Sequence, residues 1–225
     1  MAFQLTEDIK YIMRPVIPIH NWELPSDISR DPTIELPDVG FIVDTETETE
    51  LGDIILWNAF ASNDMAKPPN IWGVGVTVML DTAAEGFGTN ANSVGPMALA
   101  LHVGEPGEFI YGGVLQHWWD VEGDGEVNMT NIQYIGYYRV DAETNVGIGS
   151  PNISVNWDAE SGQKWTVPVG VAWNTTVKIG PAPVKIGVEL YKYIESPDNF
   201  GAEWGLRFIF SPVVPSPGFS KEAWF

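Results

Sequence analysis

Between Lys164 and Phe210 the side chains alternate so regularly that β-strands are the only regular structure to fit them. From Lys164 to Trp173 the odd positions hold Trp, Val, Val, Val and Trp, and the even positions hold Lys, Thr, Pro, Gly and Ala. After Gly180-Pro181-Ala182 the parity reverses. Val184, Ile186, Val188 and Leu190 share one face, and Lys185, Gly187, Glu189 and Tyr191 share the other. Trp204 to Phe210 repeats the pattern. Successive side chains of a strand point to opposite faces, so these are three two-faced strands. One face is bulky and apolar; the other carries small groups and a few charges. In a soluble sandwich the apolar face is a core. In a membrane barrel it meets lipid, and the small, charged face lines the interior.

The same period runs through most of the chain. Trp72, Val74, Val76, Val78 and Leu80 alternate with Ile71, Gly73, Gly75, Thr77 and Met79. Further strands are expected over Val94–Val103, Glu108–Asp120, Asn128–Val140 and Val146–Trp157. Near the start, Ile9, Tyr11, Met13 and Ile17 oppose Asp8, Lys10 and Arg14, with Pro15 and Pro18 marking an edge or bulged strand. Leu51–Ser62 reads as a strand of undecided facing, and Val43–Glu50 as an acidic loop or exposed strand end. A short strand is expected near Asp31–Leu36. No helix and no dividing linker is apparent, so residues 1–213 read as one barrel domain and 214–225 as a tail.

Connection lengths favour the membrane arrangement. Gly104–Gly107, Ala142–Thr144 and Gly180–Ala182 are short; Thr82–Asn92, Val121–Val127, Asp158–Gln163 and Ser196–Ala202 are longer. Asn63–Pro69 falls on the short side by position. Alternating short and long connections characterise up-and-down outer-membrane barrels, and the acidic residues gather on the long side. The expected fold is all-β: an antiparallel up-and-down membrane β-barrel of about 12 strands, about 11 of them in this chain. Single-chain bacterial barrels have even strand counts. The odd count therefore leads us to expect about one further strand, with a signal peptide, ahead of this sequence. Trp118, Trp119, Trp157, Trp165 and Trp204 fall near strand ends on the long-loop side, and Trp72 and Trp173 near the other. They would form two aromatic girdles.

Composition excludes several functions. Lys and Arg number 11 against 30 Asp and Glu, a net charge of -19, which argues against nucleic-acid binding. Cysteine is absent, so there is no disulfide frame and no thiolate chemistry. No apolar run is long enough for a transmembrane helix, which leaves a barrel untouched. The first eight residues lack the basic start and apolar stretch of a signal peptide.

By parity, Arg14, Arg139, Lys185, Glu189, Tyr193, Glu203 and Arg207 would face the interior. Pairing around Asp198 sets Glu189 across from Arg207 and Tyr193 across from Glu203. Such charges either line a channel or plug it with salt bridges. Asp120, Glu122 and Asp124 resemble the start of a calcium loop, but its twelfth position is Asn131 where a bidentate Glu is needed. A hairpin loop is the simpler reading, and no metal or cofactor is expected. His20, His102 and His117 have no ligand-like spacing. With no nucleophile elbow or phosphate loop, the chain does not read as an enzyme.

These stretches resemble a known family, the outer-membrane proteins of the meta-pathway phenol-degradation type, whose members carry labels such as transporter or neuromedin U. The resemblance lies in Arg14–Ile19, Leu51-Gly52-Asp53, Ile71–Val76, Gly95-Pro96, Trp165–Val169 and Glu195–Asn199 followed by Glu203–Phe208. It implies a porin-like membrane barrel in the outer membrane of a Gram-negative cell. It also implies a role in passing small molecules, hydrophobic or aromatic ones included. The partners are then outer-membrane lipid and a small-molecule solute. The chain's own departures are the missing signal peptide and first strand and the tail after Val213. A soluble or secreted ligand-binding barrel, and a structural outer-membrane barrel without transport, remain the alternatives.

Overall fold

Residues 2–25, 45–62, 70–84, 87–180, 182–199 and 201–212 are described by a computed structural model. Alternating β-branched, aromatic and glycine residues leave no helical stripe, and every regular element among the described residues is a strand. In chain order these are β1 (Ala2–Gln4), β2 (Ile9–Val16), β3 (Ile19–Pro25), β4 (Thr45–Leu51), β5 (Ile54–Ser62), β6 (Asn70–Leu80) and β7 (Ala91–Val103). There follow β8 (Phe109–Gly123), β9 (Asn128–Arg139), β10 (Thr144–Gly149), β11 (Asn152–Asn156), β12 (Trp165–Ile179), β13 (Ala182–Glu195) and β14 (Trp204–Pro212).

One large sheet runs β1-β2-β5-β6-β7-β8-β9-β10-β12-β13-β14, with β11 sharing the place of β10 between β9 and β12. That is eleven rows, each antiparallel to the next, in a barrel-like closed arrangement. The up-and-down antiparallel topology is therefore present, and β2 is the expected first strand. The row count reaches eleven through β1, which turns through Leu5–Asp8 into β2 and was not legible in the sequence. The expected strand near Asp31–Leu36, the link at 63–69 and the tail at 214–225 lie outside the described residues. Between β2 and β5 the chain departs into a separate hairpin, β3–β4, which takes up the acidic Thr45–Glu50 as a strand.

Connections sort by side as anticipated. Turns at Leu5–Asp8, Gly104–Glu108, Val140–Glu143 and Gly180 lie at one end. The β3–β4 hairpin and the connections β6–β7, β8–β9, β11–β12 and β13–β14 lie at the other. Asp53 braces that second end. Its buried carboxylate accepts the N–H groups of Thr82 (3.2 Å), Ala83 (3.2 Å) and Thr89 (2.7 Å) and the Thr89 hydroxyl (2.9 Å).

Pairing and burial fix which parity points inward. Gly73, Gly75 and Thr77 on β6 face in with Ala59 and Ala61 of β5, while Trp72, Val74 and Val76 stand exposed outside. This decides the facing of β5. On β12–β14 the expected parity holds: Val169, Val171, Leu190, Leu206, Phe208 and Phe210 are outside and exposed. On β7 and β8 the inner face is not small and charged. Met97, Val114, Ala59, Trp57 and Leu99 pack together there, and Met79, Ala91, Trp118 and Val127 form a second apolar cluster.

Candidate functional site

Glu189 is central to the polar half of the interior. Its row on β13 lies between Ala172 of β12 and Arg207 of β14, the two register partners expected from the hairpin count. The side chain is fully buried and ion-paired with Arg207. The Tyr137 hydroxyl on β9 donates to Glu189 Oε1 at 2.5 Å, and the Ser150 hydroxyl lies 3.4 Å from the same oxygen. Arg207 Nη2 also donates to Ser150 Oγ at 2.8 Å and to the Ser150 carbonyl at 3.3 Å. A buried charge survives only when paired and hydrogen-bonded, and Glu189 has both.

The backbone makes room for this cluster. Gly149 has φ +84°, and a Cβ there would sit 3.2 Å from Ala172 Cβ and 3.3 Å from Glu189 Cδ. Only glycine satisfies both the left-handed conformation and the contact. Gly149 ends β10, and the chain crosses Ser150-Pro151 before β11 begins. Pro168 of β12 is buried, and its carbonyl accepts the Tyr134 hydroxyl at 2.8 Å. The interruption is tied by Arg207 and by Gln133, whose Nε2 donates to the Ser150 carbonyl at 3.1 Å.

The other interior candidates separate by depth. Arg14 faces in beside Trp57, its guanidinium 4.6 Å from the ring centroid. Lys185 lies 5.8 Å from the Tyr137 ring. Arg139 is held at the short-turn rim, donating to the Gly104 carbonyl at 2.7 Å and the Ala142 carbonyl at 3.4 Å. Tyr193 and Glu203 sit together at the long-loop rim, where the Tyr193 N–H donates to the Glu203 carbonyl at 2.9 Å. Geometry therefore joins Glu189, Arg207 and Lys185 and leaves Arg14, Arg139, Tyr193 and Glu203 at separate places. Tyr137 and Ser150 complete the cluster and were missed. Tyr137 lies on β9 and Ser150 in the break between β10 and β11, both outside the parent hairpin, so only the barrel's curvature brings them in.

Six of the seven girdle tryptophans stand outside: Trp72, Trp119, Trp157, Trp165, Trp173 and Trp204 are all exposed. Trp118 corrects the expectation. It is 2 % exposed and points inward, its indole N–H donating to Thr77 Oγ1 at 3.2 Å. Adjacent strand residues take opposite faces, so Trp118 and Trp119 cannot both be outside. Phe109, Tyr111 and Tyr138 are also exposed near the short-turn end, and Phe109 and Tyr138 pack edge-on at 5.3 Å.

The acidic loop after β8 is a braced hairpin. Asp120 Oδ1 accepts the Val127 N–H at 3.0 Å, and Glu122 accepts from Asn92 at 3.4 Å. The Asp124 N–H donates to the Asn90 carbonyl at 3.1 Å. Among the described residues no three His, Cys, Asp or Glu side chains are grouped to hold a metal ion. His102 and His117 pair instead with Asn70 (2.7 Å) and Thr130 (2.8 Å). Comparison with known proteins finds no matching family, no matching curated protein and no matching solved structure.

Proposed function

We propose that this chain is an outer-membrane β-barrel that passes or binds small molecules, hydrophobic or aromatic ones included, and does no covalent chemistry. We place it with the outer-membrane proteins of the meta-pathway phenol-degradation type that its sequence resembles. One observation carries the reading: the outward face is a continuous apolar band edged by aromatic rings. Phe208 is 77 % exposed, Val171 65 %, Trp72 62 % and Leu206 60 %. Monomeric soluble proteins rarely expose contiguous apolar patches of this kind, and hydrocarbon is the solvent that removes the penalty. Strands β6, β7, β8, β12 and β13, at 11 to 15 residues, meet the roughly 9–11 residues a tilted strand needs to cross a bilayer.

The test is reconstitution. Protein refolded in detergent and moved to liposomes should be protected from protease across its strands. The liposomes should swell in iso-osmotic small solutes. A chain that stays folded and monomeric in buffer without detergent would be a soluble barrel. Insertion with no solute flux would leave a structural role.

A further inference from the structure

The charges of the large sheet do not follow those of the whole chain. The sequence carries 30 acidic and 11 basic residues. Yet the acidic residues in the strands of the large sheet are Asp120, Glu122, Glu195 and Glu189, and the first three lie within four residues of a strand end. Glu189 is the exception, and it is buried and neutralised by Arg207. Among the described residues, five cations besides Lys178 near the end of β12 meanwhile share the inner face. Lys10 is paired with the inward Ala61, Arg14 with the inward Trp57, and Arg139 follows the inward Tyr137 by two residues. Lys185 lies four residues before Glu189 on β13, and Arg207 is the register partner of Glu189 on β14. They are reachable by solvent: the Arg207 side chain is 39 % exposed despite its ion pair, and Arg14 is exposed.

We propose that the interior selects small anions, of the size of chloride or a simple carboxylate. The proposal rests on the channel reading above and names its solute class. Fixed charges on the wall set which ion enters, and their effect is greatest where the path is narrow. Acidic loops at the barrel ends do not reverse this in concentrated salt. At 1 M ionic strength the screening length is about 3 Å, so only charges in contact with the permeating ion count. Two of the cations also lie over aromatic rings (Arg14 on Trp57, Lys185 on Tyr137), which orients them without a carboxylate to cancel their charge.

A planar bilayer with a potassium chloride gradient tests it on the full chain. The expected result is a stepwise conductance whose reversal potential lies toward the chloride equilibrium value. Lys185→Glu with Arg14→Glu should move the reversal potential toward potassium, a several-fold fall in the chloride-to-potassium permeability ratio. Lys185→Met with Arg14→Met guards against misfolding and should fall between native and the glutamate pair. A conducting native barrel with no preference, or with preference for potassium, overturns the proposal and leaves the channel reading standing. A folded, inserted barrel with no conductance overturns the channel reading and the proposal with it.

Discussion

The Tyr137 hydroxyl on β9 reaches Glu189 on β13 at 2.5 Å across the two intervening rows of β10 and β12. A bond spanning that much sheet exists only where the wall curves sharply, so it reports on curvature as much as on charge. Tyr137→Phe should lower stability by about 1.5–3 kcal/mol, the range for a hydrogen bond to a charged group. Arg207→Met should cost about 3 kcal/mol, the low end for a broken buried pair, because Arg207 keeps contact with solvent. The double change E189Q with R207Q should cost less than Arg207→Met alone. Guanidinium unfolding of the three variants checks the order, and a double variant that costs as much as Arg207→Met or more would refute it.

Gly149 and Gly180 provide an internal control for packing. Both have positive φ, but a Cβ at Gly180 meets nothing within 4 Å, whereas one at Gly149 meets Ala172 and Glu189. Gly180→Ala should cost about 1–2 kcal/mol, the left-handed penalty alone. Gly149→Ala should cost more, and Gly149→Val more still. Equal costs for the two alanine variants would mean that the contact with Glu189 is not tight.

Asp53 holds the β6–β7 connection through four donors. Asp53→Ala leaves three amide donors without their acceptor, each worth about 1–3 kcal/mol if it stays buried. The connection should open to relieve them while the strands persist. Protease should then cut within 81–90, and amide exchange at Thr82, Ala83 and Thr89 should accelerate. Unchanged exchange at those three positions would count against the bracing role.

Acid should loosen the Val140–Glu143 turn. The Asp141 carboxylate is held below the usual carboxylate range by the backbone N–H groups of Glu143 and Thr144, which donate to it at 2.9 and 2.6 Å. Its folded value lies below its unfolded one. The stabilisation is therefore complete above the ordinary carboxylate value and is lost as pH falls through the lowered folded value. Amide exchange at Glu143 and Thr144 should rise over that acidic window. Asp141→Asn should remove this dependence, and exchange that stays flat with pH in the native chain would contradict it.

Trp118 and Trp119 divide between inside and outside. In chains retaining one tryptophan, brominated lipid should quench Trp119 and spare Trp118. Trp118→Ala should cost about 3–5 kcal/mol, the range for emptying a packed aromatic site. Equal quenching of the two would reject the assigned facing.

What the sequence made legible was what depends on period and count. Alternation gave the strands, and counting outward from Asp198 gave the pairing of Glu189 with Arg207, because a hairpin transmits its register from its loop. The facing of Trp118 was not legible, since parity says that neighbours differ but not which one is outside near a strand end. Tyr137 and Ser150 were hidden because their contact with Glu189 depends on how far the sheet bends, a property spread over several strands. The apolar inner face of β7–β8 was equally hidden: Met97 and Leu99 alternate with Pro96 and Ala98 as cleanly as an outward face would. β1 is only three residues long, too short for a period to appear.

The excursion from Val16 to Ile54 bears on how the barrel comes together in time. Nearly every other neighbouring pair of rows is joined by a short connection, so its strands can zip as soon as they are near each other. β2 and β5 must instead meet across the β3–β4 hairpin and everything between its arms. Chain entropy grows with the logarithm of the span, about 0.6 kcal/mol per doubling, so this pairing starts with a handicap of roughly 2 kcal/mol over a tight turn. The rows from β5 onward form the fast-closing part, and the β2–β5 seam joins late. Shortening the excursion would quicken assembly more than it would strengthen the finished barrel.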